Sequence, residues 1–279
     1  MKGEILNIKN ITIGILLISL SLAFAEQNSA NSEQEPTGKK TYAIVVGGIS
    51  KDPSNRSAKI KAIASVQDFL LNNLKIDTER LCVLKAGDSP VAANTGTSTA
   101  ENIQNAINNF ASIIKPDDRF IFYYIGQANV IGENLRINLP GADVTPEQLA
   151  LLMKEIKASS MLIVFDCPGS GLAAKAMSGQ GQVIIGSCTT EQHYTTRFSE
   201  YFIPALTDNQ TDMNEDGKIS ILETFTTTSK KIDDWYRQEK LLTTETPVLE
   251  DNGDGQPSKE PWRYKLDNTD GRIAAEFFL

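Results

Sequence analysis

Three places in this chain carry side chains that could do chemistry. Cys167 follows an apolar run in "MLIVFDCPGSG", the single histidine, His193, lies in "SCTTEQHYTTRFSEYF", and "DMNEDGKISILE" spaces oxygen-bearing residues from Asp212 to Glu223. A thiol is a useful nucleophile only as thiolate, so Cys167 needs a neighbour that draws off its proton and later protonates the leaving group. His193 is the one imidazole available. Two readings stand for it: a base for Cys167, brought near by the convergence of neighbouring strand ends, or a surface-loop histidine without a partner. Cys167 and Cys188 both fall at strand ends, either pairing in an oxidising compartment or remaining buried thiols.

The third place has its own logic. Asp212, Asn214 and Asp216 occupy the first, third and fifth positions of a twelve-residue calcium loop, with Gly217 at the sharp turn, Ser220 ninth and Glu223 twelfth. Hard Ca²⁺ takes six to eight oxygens, which these side chains, the Lys218 carbonyl and both Glu223 oxygens would supply. The alternative is an Asp/Asn/Gly turn that binds nothing. A single extracellular loop of this type is expected to bind weakly, with Kd on the order of 10⁻⁴ to 10⁻³ M. "PVLEDNGDGQP" also holds Asp251, Asn252 and Asp254, but off that spacing, and reads as two Asx-Gly turns.

Elements of regular structure must hold these residues. "TYAIVVGG", "RLCVLKAG", Arg119–Ile125, "MLIVFD" and "QVIIGSC" read as buried strands. Between them, "SAKIKAIASVQDFLLNNL" puts Ile60, Ile63, Val66, Phe69, Leu70 and Leu74 on one helical face, and "TAENIQNAINNFASII" does so with Ile103, Ala106, Ile107, Phe110 and Ile114. Thr145, Pro146 and Gln148 open a further helix with a capping box. "RFSEYFIPALTD" and "ISILETFTTTSKKIDDWYRQ" are expected to enter and leave the calcium loop as helices. Trp262, Tyr264 and Phe277 are expected to pack the C-terminal segment onto the rest. Short apolar strands alternating with amphipathic helices predict an α/β fold, a mostly parallel sheet with helices on both faces. Ligands of such sheets gather at the carboxyl ends of the strands.

This order of elements resembles the caspase- and legumain-like cysteine peptidases over roughly residues 41 to 206. The likeness rests on the "YAIVVGG" first strand, a third strand ending at the site, and a fourth ending in an Asp-x-Cys-x-Ser-Gly box. The resemblance implies a caspase-like fold, with a general-base His after the third strand and a nucleophilic Cys after the fourth. This sequence departs at both positions. Gly126-Gln127-Ala128 stands where the family has Gly-His-Gly. Aligned without a gap, "DCPGSG" sets Asp166, Ser170 and Gly171 on family positions but Pro168 on the nucleophile position, with Cys167 one residue early. Gln cannot exchange a proton near neutral pH, and Pro has neither thiol nor N–H.

The chain's ends and composition set bounds. Lys2, Lys9, "ITIGILLISLSLAFA" and the small-x-small Ala23-Phe24-Ala25 predict a secretory signal peptide over residues 1–25, cleaved before Glu26, with an uncleaved anchor as the other reading. A polar leader follows over 26–40, then the α/β domain over 41–206 and a calcium-loop helical segment with C-terminal tail over 207–279. A net charge of −8 without basic clusters argues against nucleic acid and, after signal cleavage, against a membrane surface. Three scattered cysteines give no disulfide framework and no C-x-x-C zinc or redox pair. With the resemblance, these features predict an exported, calcium-stabilised caspase/legumain-like pseudopeptidase acting as a binding or scaffold module, with a peptide or protein as the ligand. An active cysteine endopeptidase using Cys167 with His193, and a structural calcium-binding envelope protein, are the alternatives; oligomeric state is not encoded legibly.

Overall fold

The computed structural model describes residues 38–50, 52–87, 95–267 and 269–279. The signal peptide and most of the leader lie outside these residues. Lys39–Leu279 forms one compact unit. Its centre is a seven-stranded sheet made of β1 (Thr41–Gly47), β2 (Leu81–Lys85), β3 (Thr95–Thr97), β4 (Arg119–Ile125), β7 (Ser160–Asp166), β8 (Gln182–Gly186) and β9 (Val248–Glu250). A separate antiparallel hairpin pairs β5 (Ala128–Ile131) with β6 (Asn134–Ile137). The strand order is β3-β2-β1-β4-β7-β8-β9, all parallel except β9, which runs antiparallel to β8.

Full burial of both faces explains why these strands read as unbroken apolar runs. In β4, Phe120, Phe122 and Tyr124 face one core and Ile121, Tyr123 and Ile125 the other. Helices α2 (Ala100–Ala111), α3 (Pro146–Met153) and α4 (Gly171–Met177) cover the first face through Ile107, Leu149 and Ala173. Helices α1 (Pro53–Asp68), α5 (Phe198–Ala205) and α6 (Ile221–Gln238) cover the second through Val66, Phe202 and Phe225. The expected capping box is present at Thr145, whose hydroxyl accepts from Gln148 N while Gln148 Oε1 accepts from Thr145 N.

The expected inward face of α1 is corrected at one end. Ile60 is 59% exposed, and Lys59 is buried in its stead. The helix starts at Pro53, and its buried positions are Lys59, Ile63 and Val66. The segment after residue 206 supplies β9 to the sheet edge and α6 to a face, so its helices share the core of the strands before it. Phe277 is buried and Tyr264 packs against the core, but Trp262 stays 41% exposed. Among the described residues no helix is long and apolar enough to cross a membrane.

Candidate functional site

Because β1 lies between β2 and β4, the chain reverses its direction of winding there, and a crevice opens at the carboxyl ends of these strands. Gly48 N donates to Ile125 O at 2.9 Å and Gly126 N to Asp166 O at 3.2 Å, tying together the ends of β1, β4 and β7. The Tyr124 hydroxyl fills the space beneath, donating to Gln127 O at 2.6 Å. A Cβ at Gly48 or Gly126 would sit 2.1 or 2.3 Å from that hydroxyl, so glycine is the residue this corner admits. Gln127 is held through its backbone: its N–H donates to Ile49 O at 3.3 Å, and its carbonyl accepts from Asn138 N at 3.0 Å.

At the end of β7 the side chains divide between the two faces. Asp166 turns toward α5, where Oδ2 accepts from Ser199 N at 3.0 Å and from the Ser199 hydroxyl. That hydroxyl also meets Tyr123 Oη at 2.9 Å. Asp166 Oδ1 is buried without a hydrogen bond. Cys167 turns to the opposite face and is fully buried among apolar side chains. Burial first, and the adjacent Cys188 second, push its thiol well above the ordinary cysteine range; Lys59 opposes them. The segment is pinned by a knot of small hydroxyls. Cys167 N donates to Ser187 Oγ at 3.1 Å, Cys188 N donates to Ser170 Oγ at 3.1 Å, and the two hydroxyls are 3.1 Å apart. Both Cys167 and Cys188 are free thiols, and Cys188 Sγ donates to the Gln192 and Cys167 carbonyls.

Pro168 and Gly169 follow, Gly169 with φ +69° and its N–H on Gln192 O at 2.8 Å. The His193 loop therefore does come close, and His193 Cδ2 lies 3.6 Å from where a Gly169 Cβ would be. His193 itself is exposed, and its Nε2 meets the Thr190 carbonyl at 2.9 Å. Its ring makes no hydrogen bond with Cys167, which is fully buried. The fold thus gathers Gln127, Cys167, Pro168 and His193 at one end of the sheet without joining the thiol to the imidazole.

Two further buried groups carry no signal in the sequence. Glu245, in the polar run "TTETPV", is 1% exposed, and both its carboxylate oxygens accept from Arg197 N, at 2.9 and 3.0 Å. Burial, then the charge of Asp166, push its pKa well above the ordinary carboxylate range. Lys59 is the other. Isolated charged residues in polar or mixed stretches read as solvated, and only the packing reverses that.

The 212–223 loop sits at the other end of the molecule's second face. Gly217 has φ +80° at the turn, and the loop's oxygens point at its own backbone: Asp212 Oδ2 accepts from Gly217 N at 2.9 Å, Asn214 Oδ1 from Asp216 N at 2.9 Å, and Asp216 Oδ1 from Lys218 N at 2.9 Å. Helix α6 begins at the loop's tenth position with Ser220 as N-cap, and Glu223 completes a capping box through Ser220 N at 2.9 Å. Glu223 Oε1 accepts from Met213 N and Asn214 N. On the incoming side α5 stops at Ala205 and a 3₁₀ turn, Asn209–Thr211, leads into the loop. The C-terminus braces the loop: Ser220 bridges Phe278 in antiparallel fashion, and Ile221 N donates to Phe277 O at 2.8 Å. Among the described residues no group of three or more His, Cys, Asp and Glu side chains is gathered closely enough to hold a metal ion. No family model matches this chain, and no curated protein matches it.

Proposed function

We propose that this protein is an exported caspase/legumain-like pseudopeptidase that binds a peptide or protein at the carboxyl end of its sheet and is stabilised by calcium. The observation that carries the reading is at the ends of β4 and β7. Gln127 and Pro168 stand at the positions from which that family works, while the one nearby thiol, Cys167, is fully buried with its pKa pushed up. A thiol in that state is inert as a nucleophile. The winding reversal beside β1 and β4 supports a ligand crevice at the same end.

The calcium part rests on donor chemistry. Asp212, Asn214, Asp216, the Lys218 carbonyl, Ser220 and Glu223 are hard oxygen donors in calcium-loop order, the turn glycine has the positive φ that order needs, and α6 starts where an exiting helix should. A bound ion would neutralise carboxylates that now lean on backbone N–H groups, and it would compete with the Met213 and Asn214 N–H groups for Glu223.

The test is an assay of broad peptide libraries for both binding and cleavage, with Cys167→Ala and His193→Ala alongside. Saturable binding without turnover is expected. Loss of a general base alone forfeits about 10²- to 10⁴-fold in rate. Turnover that vanishes in both variants would replace this reading with a working Cys167–His193 dyad. Restoring Gln127→His and Pro168→Cys together should create a reactive thiol if the cleft geometry persists.

A further inference from the structure

The buried Lys59 leads to a second site, over the ends of β1 and β2 and bordering those of β4 and β7. Lys59 is 7% exposed on α1, and no hydrogen bond or ion pair engages it among the described residues. A cavity of about 440 Å³ opens beside it over the ends of β1 and β2. Lys59, Lys85 and Arg56 line this cavity together with Ile49, Ile63 and Pro140, and its described lining contains no Asp or Glu. In a chain of net charge −8, three cations around one cavity with no acid among its described lining residues is an uneven distribution.

The neighbours of these cations leave charge uncompensated. Among the described residues, Lys85 Nζ has only the neutral Gln67 Oε1, at 3.4 Å, and Arg56 Nε the Ser50 carbonyl, at 3.1 Å. Asp166 borders a separate space of about 20 Å³ that Lys59 also lines, yet it forms no ion pair with Lys59 and spends Oδ2 on Ser199. Lys59 buries most of its length without an anion beside it, and a cation held in one place by its packed stem is pre-positioned to meet an anionic ligand. The apolar walls add a second requirement, since a bare inorganic ion would leave Ile49, Ile63 and Pro140 uncovered.

We propose that this cavity binds a small organic anion, a carboxylate or phosphate head on a compact apolar body. The head would sit among Lys59, Lys85 and Arg56, and the body against Ile63 and Pro140. The site lies at the strand ends where ligands of such sheets gather, on the β2 side of the winding reversal, and it does not depend on the peptide-binding reading.

The full chain is titrated with phenyl phosphate, benzoate and, as a neutral control, benzyl alcohol, by calorimetry and melting temperature. Saturable one-to-one binding of at least one anion is expected, with benzyl alcohol silent and binding weakened roughly tenfold or more in Lys59→Met, as for loss of one charge-assisted contact. Affinity should persist at about 0.15 M salt, where adsorption to exposed charge is largely screened. Should Lys59→Met fail to fold, the double variant Lys85→Met with Arg56→Gln carries the same expectation. The proposal is overturned if neither anion binds saturably in the millimolar range, if binding vanishes at that salt concentration, or if the folded variants bind as tightly as the parent.

Discussion

The fate of one side chain, Cys167, decides how the strand ends are read, and its burial makes a sharp expectation. In the native protein a maleimide or disulfide reagent should reach half-buried Cys82 first, although burial pushes that thiol up to about 11, and leave Cys167 and Cys188 unmodified until the protein unfolds. Mass mapping after a short exposure checks this; rapid modification of Cys167 would sink it. A second expectation concerns the glycine corner. Gly126→Ala drives a methyl into the Tyr124 hydroxyl and should cost about 1–3 kcal/mol, the usual penalty for overpacking. Tyr124→Phe removes one of the clashing atoms, so the double variant should be less unstable than the sum of the singles. Denaturant unfolding of all four proteins measures the coupling.

Among the elements, the junction of the 212–223 loop with α6 separates two roles that share Glu223. Its carboxylate completes the helix cap and is also the twelfth-position ligand of the proposed calcium site. Millimolar Ca²⁺ should raise the melting temperature by mass action, and Glu223→Gln, which keeps an acceptor for the cap, should abolish the rise. Ser220→Ala should lower stability by about 1 kcal/mol in chelator, where only the cap is lost, and by at least as much in calcium, where a ninth-position donor goes with it. Equal melting temperatures in calcium and in chelator would refute the calcium role while leaving the capping role standing.

For the whole molecule, buried carboxylates set the response to pH. Asp270 accepts from Asp251 N and Asn252 N, and burial first, with the charge of Glu250 among the further causes, raises its pKa to about 6 from 3.8. Glu250 and Glu245 shift the same way, each mainly through burial. A carboxyl raised in the folded state binds its proton more tightly there than in the unfolded chain. Its contribution is therefore full below about pH 4 and is lost as pH rises through about 6. Stability should increase as pH falls from 7 to 5, and the slope should flatten in Asp270→Asn. Chemical denaturation across that range measures it, and a slope of opposite sign in the parent would contradict the assignment.

What the sequence determined by itself was whatever depends on local pattern. Unbroken apolar runs marked the strands β1, β4, β7 and β8, three-and-four spacing marked α2, and the Thr145 and Gln148 pair marked the start of α3, because each is a property of neighbours along the chain. The order of Asp, Asn, Gly and Glu in the 212–223 loop was legible for the same reason. Tertiary structure alone decided the rest. The short β3 and β9 carry too few residues to show a period and exist as strands only because a sheet edge is there to receive them. Lys59 sits in a mixed stretch and Glu245 and Asp270 among polar neighbours in sequence, and all three are buried only once α1 and the C-terminal segment pack down. Whether Cys167 and His193 meet was likewise beyond the sequence: successive residues at the end of β7 point to opposite faces, and the turn at Gly169 leaves the thiol inside and the imidazole outside.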